Sequence, residues 1–247
     1  TPEFNIVDPV YKRDIMDAWN RLGLDDVGKW DEKSVELLRT SIIKDHGIMA
    51  DEIVSEFYGT AKTGMFSKKE ISGIIQELID FIPEDALKSN KFQKINIRIG
   101  NIGNNILGQY DKGVLKISNN LITDRKKLKE TVYHELMHWL HDDTMNQRGE
   151  NFKKTISDIF SKRTAGYPIY YDSSGGYRRD DRWWDRYAGR VYWFEKKAGI
   201  EPGSEVATMH FQLMSDPDYL VNSIIKDPER FPEDTIKTLK QILEFFE

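Results

Sequence analysis

Three of the chain's five histidines, His134, His138 and His141, fall within eight residues, and the stretch around them keeps the spacing of a buried helix face. Leu128, Val132, Leu136, Trp139 and Leu140 recur at helical intervals and Thr123 or Asp124 supplies an N-cap, so a helix is expected from about 125 to 142. Within it His134-Glu135-Leu136-Met137-His138 reads H-E-x-x-H. Residues four apart share one helix face, so both imidazoles can reach one Zn²⁺ at about 2.0–2.1 Å. Glu135 projects beside such an ion without binding it. It can take a proton from a water whose pKa zinc lowers to about 7 and pass it to a leaving amine. This is the chemistry of peptide-bond hydrolysis, and in a chain with so few histidines the motif arises by chance with odds of roughly 1 in 100.

Composition narrows the ligand set. With no cysteine, a disulfide scaffold, a thiolate zinc finger, an iron–sulfur site and a cysteine nucleophile are all excluded, so a metal must be held by His, Asp or Glu. The 247 residues, 39% hydrophobic and 12% aromatic, are enough to build a core without staples and too apolar for a disordered chain. No run approaches the roughly 18–20 apolar residues of a membrane span, and the opening residues have no signal-peptide pattern. Thr1-Pro2-Glu3-Phe4 begins without Met, so the chain is expected to be a piece of a longer protein and its localisation stays open.

Residues 1 to about 90 read as an all-helical unit. Asp8-Pro9 opens a helix carrying Val10, Ile15, Trp19 and Leu22; a second holds Val35, Leu38, Ile42 and Ile43; a third holds Ile53, Val54 and Phe57. A fourth opens with the capping box Ser67-Lys68-Lys69-Glu70 and runs through Ile74, Leu78 and Ile79 toward Pro83. The period then changes. Ile95, Ile97 and Ile99 alternate with polar residues as in a half-buried strand, and Ile106 to Tyr110 turns at Asp111-Lys112-Gly113 into Val114 to Ile117, a hairpin. From about 161 to 193 a stretch rich in Gly, Arg, Tyr and Trp is expected to be a long, partly irregular connection. Pro202-Gly203-Ser204 starts a helix through Glu205, Ala207, Phe211 and Met214, and the tail from Phe231 forms one more. The expected architecture is α+β, with the helical unit over 1–90 and the site-bearing domain over 91–247.

A catalytic zinc takes three protein ligands and keeps one position open. His141 lies one turn past His138, but the segment lacks the glycine break that the longer metzincin spacing uses, so His141 reads as a surface residue or as support behind the ligands. The third ligand is placed at Glu205, at the start of a helix whose other face is apolar, with Glu195, Glu201 and Asp185 as rivals. Asp185 enters because Trp184-Asp185-Arg186-Tyr187-Ala188-Gly189 is faintly similar to the aspartate-bearing motif of aspzincins.

With these residues identified, the chain resembles the gluzincins of the anthrax lethal factor type, and within them the zinc metallopeptidase-like domains of phage genomes associated with minor head proteins. The likeness spans about residues 94–230. It rests on Gly108-Gln109-Tyr110 with Val114 to Ile117, on His134 to His138, on Asp185 to Tyr192, on Ser204-Glu205-Val206-Ala207-Thr208-Met209 and on Asp227-Pro228-Glu229. The resemblance implies a zincin-like domain with a small sheet packed on the H-E-x-x-H helix. It implies His134, His138 and Glu205 as zinc ligands, Glu135 as general base, and a tyrosine or histidine that donates to the oxyanion. Tyr192 and Tyr187 are the candidates, each also suited to an aromatic cluster, and His210 ranks below them because five helical residues turn it away from Glu205. In this class an edge strand beside the helix pairs with the extended substrate, a role that falls to Val114, Leu115, Lys116 and Ile117.

The arginines between 178 and 190, interleaved with Trp and Tyr, could stack nucleic acid, but Asp180, Asp181 and Asp185 nearly cancel their charge and the whole chain carries a net charge of −5. The expected partner is a protein or peptide substrate, with neither nucleic acid nor membrane. The reading is a zinc-dependent endopeptidase. The alternatives are a phage structural or assembly protein with an inactive zincin fold, and a toxin or effector protease acting on one host protein.

Overall fold

Ser67 begins the helix that its capping box predicts. Its hydroxyl accepts from the Glu70 amide at 3.3 Å, and its own amide donates to Glu70 Oε2 at 2.8 Å. In the computed structural model, which describes residues 48–58, 67–80, 82–91, 93–103, 106–121, 124–166, 169–171, 176–179, 186–192, 203–213, 215 and 238, this helix is the second. The elements run α1 (Ala50–Ile53), β1 (Val54–Tyr58), α2 (Lys68–Ile79), α3 (Glu84–Ser89), β2 (Ile95–Gly100), β3 (Gly108–Asp111) and β4 (Val114–Ser118). They continue with α4 (Arg125–Asp143), α5 (Gln147–Thr164), β5 (Ile169–Tyr171), β6 (Gly176–Arg179), β7 (Arg190–Tyr192) and α6 (Ser204–Leu213). The mixture of helices with a small mixed sheet is α+β. The helices expected before residue 48 lie outside the described residues, as does the tail helix after residue 230 except for Thr238, which is helical. No described helix is long and apolar enough to cross a membrane.

The chain divides into two compact units, Lys44–Glu150 and Thr1–Ile43 with Asn151–Glu247. Val54–Tyr58, expected within a helix of the unit over 1–90, is instead a strand of the first unit's sheet. Its parallel partner is β2, with Val54 opposite Ile95 and Phe57 opposite Ile97. Val, Phe and Tyr suit a pleated surface, and pairing with a strand about 40 residues on overrides the local helical spacing.

The sheet of this unit has the order β1-β2-β4-β3, with β1, β2 and β4 parallel and β3 antiparallel to β4. Ile95, Ile97, Leu115 and Ile117 are buried. The β3–β4 turn puts Lys112 at φ 47° and Gly113 at φ 79°, the two positive values that match a tight hairpin to the strand twist. Because β4 is paired on both sides, Val114 to Ile117 is not the edge strand that the sequence suggested. That edge belongs to β3. The hairpin was legible locally, but the parallel partner β2 that covers the other side of β4 was not.

Asp124 caps α4, accepting from the Lys127 amide at 3.1 Å, and the helix buries Leu128, Val132, Leu136, Met137, Trp139 and Leu140. The segment after α3 donates to carbonyls in the last two turns of α4, among them Asp143 O, which has no intrahelical partner. The Lys91 amide donates to Asp143 O at 2.7 Å, and the Asn90 side chain, 3% exposed, donates to Trp139 O at 2.9 Å.

In the second unit, the stretch expected to be irregular holds a three-stranded antiparallel sheet, β5-β6-β7, and a 3-10 turn over Arg186–Gly189. This turn and β7 pack against α6. Gly203, at φ 117°, leads into α6 where a Cβ would stand 3.1 Å from Ile156 Cγ2, so a glycine lets α6 begin close to α5.

Candidate metal centre

The i and i+4 spacing of His134 and His138 puts their rings side by side on α4, centroids 5.1 Å apart and inclined at 75°. His134 is 9% exposed and Glu205, in the first turn of α6, is 1% exposed. The three residues each offer one ligand atom, and these atoms all lie within 4.8 Å of one another. Tetrahedral zinc with bonds of about 2.0–2.1 Å needs ligand atoms roughly 3.4 Å apart, so a small convergence completes the group. Two imidazoles and one carboxylate, without thiolate, are the donor chemistry of a hydrolytic zinc site. A group of His134, His138 and Glu205 that can hold a metal ion is therefore present among the described residues. Of the rival third ligands, Glu195, Asp185 and Glu201 lie outside the described residues.

Glu135 is 7% exposed and sits against β3. A Cβ at Gly108 would stand 2.8 Å from both Cγ and Oε1 of Glu135 and 2.5 Å from Thr131 Cγ2. Only glycine lets the strand pass this close to the carboxylate.

The residues of this group have further polar neighbours behind them. Thr208 Oγ1 lies 3.1 Å from Glu205 Oε2 and 3.2 Å from Glu205 O, one turn back on α6. Asp142, one turn past His138, stands with Oδ2 3.7 Å from His138 Nδ1 and Oδ1 2.7 Å from His141 Nδ1. Burial pushes the Asp142 carboxyl up, but the two imidazoles outweigh it and hold it well below the usual carboxylate range. His141 is 2% exposed, so the surface reading of it does not hold.

Tyr110 ties the hairpin to the end of α4. Its hydroxyl donates to Asp143 Oδ2 at 2.6 Å and accepts from the Gly113 amide at 2.8 Å. Burial, then the Asp143 carboxylate, raise its phenol far above the usual value.

The oxyanion candidates are placed less directly. Tyr187 is half-buried in the 3-10 turn with the Arg190 guanidinium over its ring, 5.2 Å from the centroid. Tyr192 closes β7, and its side chain lies outside the described residues. His210 is fully buried, and its Nδ1 donates to Val206 O at 2.7 Å. Burial, with the nearby charge of Arg163, pushes its pKa down to about 3 against that hydrogen bond, so it stands as a neutral imidazole.

Sequence reasoning missed Gly108, Thr208 and Asp142. The spacing of Asp142 four residues past His138, and of Thr208 three past Glu205, was the available signal. No protein-family model, curated protein or solved structure matches the chain.

Proposed function

We propose that the chain is a zinc-dependent endopeptidase that hydrolyses peptide bonds of a protein substrate, with His134, His138 and Glu205 as ligands and Glu135 as general base. The observation that carries this reading is the convergence of the three ligand atoms within 4.8 Å, with Glu135 following directly on the first ligand. Zinc held there supplies Lewis acidity toward water and toward a carbonyl oxygen. Glu135 takes the proton of the attacking water and delivers it to the amine nitrogen as the C–N bond breaks. Its low exposure limits bulk water around that transfer.

The edge of β3 completes the reading. Gly108 to Asp111 pair with β4 on one side only among the described strands, so their outward backbone groups can align an extended peptide beside Glu135. This moves the substrate-pairing role from Val114–Ile117 to the neighbouring strand. Tyr187 and Tyr192 stay the candidates for donation to the oxyanion, and the zincin likeness belongs with this proposal.

Metal analysis and a peptide-cleavage screen of wild type and Glu135→Ala test it. The expected result is about one zinc per chain in both proteins and cleavage by the wild type alone. A purified wild type that retains no zinc, or equal cleavage by the variant, overturns it. Glu205→Ala should lose metal; full retention would move the third ligand to Asp185, Glu195 or Glu201.

A further inference from the structure

The third clustered histidine does not reach the ligand group, yet it is among the most buried polar residues of α4. Burying an imidazole costs free energy unless its polar atoms are engaged, and His141 Nδ1 is engaged by Asp142 Oδ1 at 2.7 Å. The other oxygen of the same carboxylate faces His138 Nδ1 at 3.7 Å, longer than a hydrogen bond but at ion-pair range. One carboxylate thus stands between two imidazoles, one of them in the ligand group.

We propose that His141 and Asp142 are positioning residues for His138: the His141 Nδ1–H anchors Asp142, and Asp142 receives the His138 Nδ1–H and so presents Nε2 to the metal. This rests on the reading of His138 as a ligand. An imidazole has one lone pair to give in its neutral form, and the partner of one ring nitrogen decides which nitrogen carries it. With Nδ1 protonated toward Asp142, Nε2 is the donor atom and the ring cannot rotate without leaving the carboxylate. Such supporting carboxylates change metal affinity by about 10- to 100-fold. Asp142 is itself one-quarter exposed, and a carboxylate on a helix surface has several rotamers. The short contact from His141 selects one of them.

The chain needs both residues for this task. An aspartate alone at the i+4 position of a ligand histidine is free to turn to solvent. A buried donor beside it removes that freedom before the metal arrives.

Zinc affinity, measured by chelator competition on the whole chain, tests the assignment in wild type, Asp142→Asn, Asp142→Ala, His141→Leu, His141→Asn and the double variant His141→Leu/Asp142→Ala. Both Asp142 variants should bind zinc about 10- to 100-fold more weakly. His141→Leu should weaken binding several-fold, while His141→Asn, whose amide keeps a donor near the place of Nδ1, should restore most of it. The double variant should be no weaker than Asp142→Ala alone, because His141 acts through Asp142. Circular dichroism of the metal-free proteins tracks folding separately, and Asp142→Asn keeps the side chain's shape if Asp142→Ala unfolds. Wild-type affinity in Asp142→Asn, or additive losses in the double variant, overturns the relay and leaves the metal site standing. A wild type that binds no zinc overturns both.

Discussion

Gly108 and Glu135 occupy adjoining space so completely that one added methyl group at the first would stand 2.8 Å from the carboxylate oxygen of the second. Strand and helix are therefore matched at the atom that the proposed chemistry uses.

Gly108→Ala should shift Glu135 or push β3 away from α4. Neither change touches a ligand, so zinc affinity should stay within about twofold of wild type while kcat falls at least tenfold, about 1.4 kcal/mol of transition-state stabilisation. Overpacking of this kind also costs about 1–3 kcal/mol of stability, readable in urea unfolding. Unchanged kcat would show that Glu135 accommodates the methyl group.

Thr208→Val removes the hydroxyl beside Glu205 Oε2 and keeps the shape of the side chain. Zinc affinity should fall by about tenfold, and Thr208→Ser should recover it. Equal affinity in the valine variant would mean that Glu205 is held by the surrounding packing alone.

Tyr110→Phe leaves the Asp143 carboxylate and the Gly113 amide without their shared hydroxyl. The expected loss is about 1–3 kcal/mol in denaturant unfolding, larger than for an exposed phenol because both groups are partly buried. A loss under about 0.5 kcal/mol would show that water replaces the hydroxyl.

His210 gives a pH dependence whose sign is fixed by burial. Its folded-state pKa of about 3 lies below the ordinary value of 6.5, so between them the unfolded chain binds a proton that the folded chain refuses. Stability from this group is complete above pH 6.5 and falls as pH drops toward 3, by up to about 1.4 kcal/mol per pH unit. Unfolding curves for metal-free wild type and His210→Gln from pH 7 to 4 should converge as pH falls. Parallel curves would remove His210 as the cause.

What the sequence disclosed was local. The Ser67 capping box, the Asp124 cap, the Ile95 and Ile97 alternation and the Asp111-Lys112-Gly113 turn each act within a few residues and appear where their side chains dictate. The His-Glu motif is local in the same way, four residues on one helix. Val54–Tyr58 went astray because its partner is β2, and β4 was given an open edge because β2's approach from the far side leaves no mark in the hairpin. Helix α5 was passed over although Phe152, Ile156 and Phe160 repeat every fourth residue and are buried. In the sequence Gly108 stands only as one position of the Gly108-Gln109-Tyr110 stretch. Its role comes from a helix that follows some 20 residues later, and a missing side chain carries no signal of what it makes room for.

The Tyr110 hydroxyl, gripping Asp143 on the helix and Gly113 in the turn, has a consequence for anything that pairs with β3. A strand that must be ordered before it can serve as a template loses backbone freedom worth about 1–2 kcal/mol per residue, and that loss is subtracted from the affinity of whatever pairs with it. Here the ordering is already complete when the chain folds. The entropy lost on pairing then falls on the incoming segment alone, and pieces of chain that are already extended and unstructured are the ones best captured.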